Sequence, residues 1–289
     1  MTNKVCYYYQ TFIGLDKILE EPNIIDTIIV SSIHFGNNTD GTPYIHLNDL
    51  VPDDKKFDIL WNQTKILATE HNKEIILMLG GAGGAYGDLF NNYATYYPML
   101  LKTIKSHNWI TGIDLDIEES VSIDNVKMLI RDIHSDFGDN FVITMAPLAG
   151  SLMRDGIGMG GFIYKDLYNS PEGKFITRFN VQAYGSYSFD TLQSIINNGY
   201  PAEKIVLGMV TGQFNKDTFK TALNEIKHIT DVYTNIGGVF CWEYCNSPPD
   251  TSDPSEWARL MSQYLHANFF TRLYKYISSF LLMYQMGVQ

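Results

Sequence analysis

Between Gly112 and Glu118 the chain reads Gly-Ile-Asp-Leu-Asp-Ile-Glu, a strict alternation of aliphatic and acidic residues. A period of two belongs to a β-strand, on which residues i, i+2 and i+4 share one face. Asp114, Asp116 and Glu118 therefore point one way, and Ile113, Leu115 and Ile117 the other. Three carboxylates within a span of roughly 13 Å repel one another, and at least one must hold a proton. Such a row adds no stability. A solvated acidic edge strand would seldom carry three branched aliphatics on its back, and a helix would scatter the carboxylates around its circumference. Ionisable groups stacked on an apolar strand mark active sites.

The rest of the chain alternates strand and helix around this stretch. Apolar runs predict strands at Val5–Tyr9, Ile25–Phe35, Glu74–Leu79, Phe141–Pro147, Phe175–Gly185, Lys204–Val210 and Gly237–Glu243. Helical spacing recurs between them, for instance Val126, Leu129, Ile130 and Ile133 behind a capping Ser122 and before Gly138. Residues 36–52, rich in Asn, Asp, Gly and Pro, read as a loop, and residues 148–162 as a long Gly- and Met-containing segment overhanging a cleft. Eight strands interleaved with helices give the pattern of an α/β (β/α)8 TIM barrel. A Gly-rich loop, Gly80-Gly81-Ala82-Gly83-Gly84, follows the third strand. It lacks the Lys-Ser/Thr of a P-loop and the order of a dinucleotide site.

Four stretches together carry a family likeness. Gly112, Asp114, Asp116 and Glu118 match the signature D-G-x-D-x-D-x-E of glycoside hydrolase family 18, the chitinase family, with Thr111 standing for its first Asp. Gly81-Ala82-Gly83-Gly84 is similar to the family's S-x-G-G, Met145-Ala146-Pro147 to its M-A-P, and Gln182-Ala183-Tyr184 to its Q-x-Y, followed here by Gly185. Trp242 closes the eighth strand, as in many members. The likeness covers residues 4–266, with 1–266 the expected catalytic barrel. Larger members insert an α+β domain after the seventh strand. Here residues 211–236 leave room for one helix and its turns, so the barrel is expected to be a single domain with a shallow, open-ended cleft.

The resemblance implies the roles. Glu118 is the general acid, with Asp116 beside it on the same face helping it keep a proton to donate near neutrality. Asp116 holds the N–H of the substrate's 2-acetamido group, Asp114 shares a proton with Asp116, and Tyr184 donates to the acetamido oxygen. Trp242 floors the sugar, and Gln182, Met145, Gly83, Gly84 and Tyr7 complete the expected substrate-binding set. Most glycosidases need a second carboxylate across the sugar, and family 18 is an exception that uses the substrate itself; no partner carboxylate stands out on another strand. The implied activity is an endo-acting chitinase that retains configuration. The alternatives are an endo-β-N-acetylglucosaminidase cutting the chitobiose core of N-glycans, a non-catalytic chitin binder, which the presence of Glu118 argues against, and an unrelated barrel holding Mg²⁺ on Asp114 and Asp116.

Composition narrows the partners. A formal net charge of −11 argues against nucleic acid or an anionic membrane surface, and a 13% aromatic share suits a carbohydrate binder. Chitin or other N-acetylglucosamine-containing glycans are the expected partners, and the chain is expected to act as a monomer. Neither a cofactor nor a metal is expected: the seven His are scattered, and Cys6, Cys241 and Cys245 form neither a metal spacing nor a disulfide framework. No apolar signal core opens the chain. The default expectation is a cytoplasmic protein, the alternative an extracellular one reached by another route or after signal removal. Residues 267–289 carry an apolar helical stripe, shorter in its uncharged part than the ~20 residues that span a bilayer, and read as a helix or tail packed on the barrel.

Overall fold

The computed structural model describes residues 3–266; the stripe expected over 267–289 lies outside them. In chain order the elements are β1 (Lys4–Tyr9), α1 (Asp16–Glu20), β2 (Thr27–Asn37), β3 (Pro43–Leu47), α2 (Asp58–His71), β4 (Glu74–Gly80), α3 (Tyr86–Asn91), α4 (Tyr93–Ser106), β5 (Gly112–Asp116), α5 (Ile123–Phe137), β6 (Val142–Met145), α6 (Ala149–Met153), α7 (Tyr164–Tyr168), β7 (Arg178–Gln182), α8 (Phe189–Asn197), β8 (Ile205–Val210), α9 (Phe219–Val232), β9 (Gly238–Trp242) and α10 (Ser255–Leu265). Eight strands form a closed parallel ring in the order β1-β9-β8-β7-β6-β5-β4-β2, with β1 paired to β2 to complete it. This is the expected (β/α)8 barrel.

One strand was not anticipated. β3 pairs antiparallel with the outer half of β2, from Ile33↔Leu47 to Asn37↔Pro43, and stands outside the ring. Its alternation is short, with Ile45 and Leu47 buried and Tyr44 and His46 half-buried, and the turn residues around it hide it in a region that reads as loop. The overhang after β6 likewise contains the short helix α6. The helix after β5 is as expected: the Ser122 side chain accepts from Asp124 N, and Gly138 ends it.

Strand alternation divides the interior into two layers. The residues facing the helices, among them Tyr7, Ile113, Leu115, Met145, Phe179 and Val181, belong to one large buried cluster. A smaller cluster fills the lumen with Cys6, Tyr8, Ile29, Ile76, Met78, Val206 and Phe240. Gly208 lies directly beneath the Phe240 ring, where a Cβ would overlap the ring carbons. The missing side chain on β8 is what lets one large aromatic plug the middle of the barrel.

The lumen is charged at both ends. At the N-terminal end Glu74 bonds to Lys4 (3.1 Å) and Arg178 (2.8 Å), all three with little exposure, and accepts from Thr27 Oγ1 (2.8 Å). Burial pushes the Glu74 carboxyl up, but Arg178 and Lys4 outweigh it and hold it below its ordinary value. Thr111 also lies at this end, where its Oγ1 accepts from Ile75 N (3.2 Å). A Thr in place of the family's Asp therefore braces the start of β5 against β4, at the opposite end of the strand from Glu118. The ion cluster predicts that Glu74→Gln strands two buried cations and costs about 3–5 kcal/mol. Urea unfolding at neutral pH should show it, and a loss below ~1 kcal/mol, as for a surface pair, would mean that the cluster is solvated.

Candidate active site

The site is the C-terminal mouth of the lumen, centred on β5. Asp114 is fully buried, and each of its oxygens is claimed by a neutral donor. Oδ2 accepts from Tyr8 Oη (2.8 Å), and Oδ1 from Thr144 Oγ1 (2.5 Å) and Asn180 Nδ2 (3.0 Å). Two residues nearer the mouth, Asp116 Oδ1 accepts from Gln182 Nε2 (3.1 Å). The same nitrogen reaches Glu118 Oε1 (3.2 Å) and the Ala146 carbonyl (2.9 Å). Glu118 lies just past the end of β5 and is half-buried. The period-two face thus continues beyond the strand, and Gln182 ties its last two carboxyls together from β7.

Burial sets the protonation of the inner pair. Desolvation pushes Asp116 well above the ordinary carboxylate range, and the charges of Asp114 and Glu118 push it further. Asp114 is raised too, again by burial, but the hydrogen bonds of Thr144, Tyr8 and Asn180 and the positive charge of Arg178 offset part of that rise. With three hydrogen-bond donors on Asp114 and one on Asp116 among the described residues, the proton demanded by like-charge repulsion is favoured on Asp116. The phenols stay protonated: burial first, then Asp116, pushes Tyr184 well above its usual value, and burial and Asp114 do the same to Tyr8. Both rings can donate.

Tyr184 and Trp242 line the mouth beside these groups. Trp242 is half-buried, with its ring 5.1 Å from that of Tyr8. A cavity of about 430 Å³ opens next to Gln182 and Tyr184, bounded by Leu148, Arg154, Ile157 and Ser186 from the loops after β6 and β7. Gly83 and Gly84 lie on the loop leaving β4, which closes onto β5 through Gly80: its φ is +90°, and a Cβ there would lie 2.5 Å from Asp116 O. The Gly84 carbonyl accepts from His34 Nδ1 (2.7 Å), which leaves His34 Nε2 to accept from Ser32 Oγ (2.8 Å).

Two expected binding residues are turned away. Tyr7 faces α10: its hydroxyl donates to Pro254 O (2.5 Å) and accepts from Ala258 N (3.1 Å), and its ring packs on Trp257. The register of β1 instead turns Tyr8 into the lumen. Met145 pairs in register with Leu115 and shares its outward orientation, buried in the helix-facing layer; its neighbour Thr144 faces inward. Sequence reading missed Tyr8, Thr144 and Glu243. An unbroken apolar run such as Val5–Tyr9 gives no phase, but Thr144 could have been found by alternation from Met145 once its partner strand was known. Glu243, just past β9, is a carboxylate near the mouth that points elsewhere. It accepts from Gln10 N (2.7 Å), Thr11 N (3.0 Å) and Cys245 Sγ (3.1 Å), as well as from the Thr11 hydroxyl. Among the described residues no group of three or more His, Cys, Asp or Glu is placed to hold a metal ion.

The buried, protonated Asp116 has a cost with a definite sign. Its folded pKa lies above its unfolded value, so the folded state binds the extra proton. Stability falls as pH rises from the unfolded value, near 3.9, towards the folded one. Asp116→Asn removes that burden. The variant should melt higher than the wild type at pH 7, and the gap should close below about pH 4. A lower melting temperature at pH 7 would show that the carboxylate form is favoured in the barrel.

No family model matches the chain, and no curated protein does. Solved structures do. A fungal endo-β-N-acetylglucosaminidase from glycosyl hydrolase family 18 is 30% identical over 90% of this chain and 97% of its own, with a TM-score of 0.79. Chitinase ChiC from Aspergillus fumigatus is 28% identical over 91% of this chain and 100% of its own, with a TM-score of 0.76. A chitinase from Pseudoalteromonas aurantia, 18% identical with a TM-score of 0.68, shares the fold. With a barrel whose β5 carries the three carboxylates towards its mouth and a relative of this identity across nearly its whole length, the chain belongs to glycoside hydrolase family 18.

Proposed function

We propose that the protein is an endo-acting chitinase, cleaving β-1,4 bonds between N-acetylglucosamine units with retention by a substrate-assisted mechanism. The observation that carries this reading is the Gln182 amide bridging Asp116 and Glu118, with Asp116 buried beneath the mouth, where desolvation and its acidic neighbours raise its carboxyl above the ordinary range. Glu118, the outermost and most accessible of the row, gives its proton to the glycosidic oxygen. A second carboxylate to attack from the opposite side is missing where it might be sought, since Glu243 is spent on the loop after β1. The attacking atom is then the carbonyl oxygen of the substrate's own 2-acetamido group.

In this mechanism Tyr184 donates to the acetamido oxygen and aims it at the anomeric carbon. As positive charge builds in the cyclic intermediate, Asp116 passes its proton to Asp114 and meets the acetamido N–H as a carboxylate. Tyr8, Thr144 and Asn180 keep Asp114 the readier of the pair to ionise at rest, and its Oδ2, which accepts from Tyr8 alone among the described residues, is where the proton would go. Trp242 floors the sugar. The cavity between Tyr184 and the loop carrying Arg154 and Ile157 receives the departing saccharide.

A second reading keeps the chemistry and changes the substrate. The similarity to a fungal endo-β-N-acetylglucosaminidase favours the chitobiose core of an N-glycan, where the same bond joins two N-acetylglucosamines. Chitin oligomers and a high-mannose glycopeptide, tested side by side with purified protein, separate the two. Cleavage of the oligomers supports the first reading, cleavage of the glycopeptide alone supports the second, and inertness towards both overturns the assignment. On whichever substrate is cut, Glu118→Gln should keep the fold and lose about 10²–10⁴ in rate, the share of a general acid. Near-normal turnover of an unactivated substrate by this variant would remove Glu118 from the role.

A further inference from the structure

Glu119 has no part in the chemistry above, yet it is among the most heavily bonded carboxylates near the site. Its Oε1 accepts from the backbone N–H groups of Ala85 (2.5 Å) and Tyr86 (2.6 Å), and its Oε2 from that of Gly87 (3.1 Å). The alternation that turns Glu118 into the mouth turns Glu119 outward, onto the loop that leaves β4. The other end of that loop is fastened as well, by Gly81 N donating to Asp116 O (2.9 Å). One loop therefore grips the β5 exit at two points, residue 116 and residue 119, and Glu118 sits between them.

The grip matters because the strand has ended. β5 stops at Asp116, and residues 117–121 have no ladder partner to hold them. Their other fastenings include the buried Ile117 side chain, the Gln182 amide on the Glu118 carboxyl (3.2 Å) and Val121 N donating to Gly160 O (2.9 Å). The loop is itself anchored on the far side, where His34 Nδ1 donates to the Gly84 carbonyl. It also lies close against the carboxylate: a Cβ on Gly84, whose φ is +75°, would lie 3.1 Å from Glu119 Oε1. Hydrogen bonds to an ionised carboxylate are about twice as strong as neutral ones, so three of them make a firm clamp.

We propose that Glu119 is a positioning residue for the general acid: by gripping the backbone of residues 85–87 it fixes the peptide segment that carries Glu118, and so the distance from Glu118 to the bond it protonates. The proposal rests on the reading of Glu118 as the acid. The test compares wild type, Glu119→Ala and Glu119→Gln by amide hydrogen exchange and by kinetics on an N-acetylglucosamine tetramer and a 4-nitrophenyl glycoside of the dimer. Glu119→Ala should stay folded, exchange faster at residues 117–121 and lose about 10²-fold in kcat on the tetramer, the cost of a misplacement of about 1 Å, with KM little changed. The loss should be smaller on the 4-nitrophenyl substrate, whose leaving group needs less help from an acid. Glu119→Gln keeps one acceptor oxygen for Ala85 and Tyr86 and should recover most of the rate; if the Ala variant fails to fold, Gln carries both measurements, with faster exchange at Gly87. Equal losses on both substrates would reduce Glu119 to a structural role, and unchanged exchange at 117–121 would overturn the clamp. A wild type inert on both substrates would move the rate comparison to the high-mannose glycopeptide, and inertness there as well would refute the reading of Glu118, while the exchange comparison would still decide whether Glu119 fixes the segment.

Discussion

The structure is built around the problem of keeping three carboxyl groups on one face of one buried strand. In a low-dielectric lumen neighbouring like charges cannot all ionise. The surrounding strands answer position by position. β1, β6 and β7 surround Asp114 with Tyr8, Thr144 and Asn180, neutral donors that make it the easier of the inner pair to ionise. Asp116 receives, among the described residues, only the Gln182 amide, and burial favours its protonated form. Glu118 reaches the mouth, beyond the strand, where solvent and substrate have access. Depth in the barrel thus gives each of these chemically similar groups a different environment.

The opposite end of the lumen supports this arrangement. Lys4, Glu74 and Arg178 plug the N-terminal opening with two positive groups and one negative. Arg178 and Asn180 share the inner face of β7 with Gln182, so one strand places a cation below the carboxylate row, an amide beside Asp114 and an amide beside Asp116. The positive charge acts on Asp114 from below. It biases the pair in the direction the chemistry needs, with the deeper carboxyl ready to exchange a proton and the upper one protonated at rest. On the proposed mechanism the stability lost to a buried row of acids is tolerated because the same row would carry the catalysis.

Much of this was legible in the sequence. Alternation fixed the face of Asp114, Asp116 and Glu118, and the same period of two is readable in Asn180, Gln182 and Tyr184 along and just past β7. The strand and helix rhythm predicted the barrel. What escaped was phase and distance. The aromatic run Tyr7-Tyr8-Tyr9 offers no polar alternate, so nothing local says that Tyr8 faces in; only the pairing of β1 with β2 and β9 decides it. Met145 marks the end of the right strand but the wrong face, for the same reason. The hairpin strand β3 is too short and too well flanked by turn residues to stand out. Glu119 and Glu243 look like further acids in the chain, and only three-dimensional contacts show that backbone N–H groups consume them.

On the proposed mechanism the nucleophile belongs to the substrate, and the protein supplies the acid, the orienting groups and the charge to stabilise the intermediate. Attack by the acetamido oxygen followed by water is two displacements at one carbon. Proton NMR of the first product, recorded before mutarotation, reads the outcome directly. The substrate-assisted mechanism predicts that a chitin oligomer yields the β-anomer at early time. An α-anomer would mean a single direct attack by water, and would contradict it.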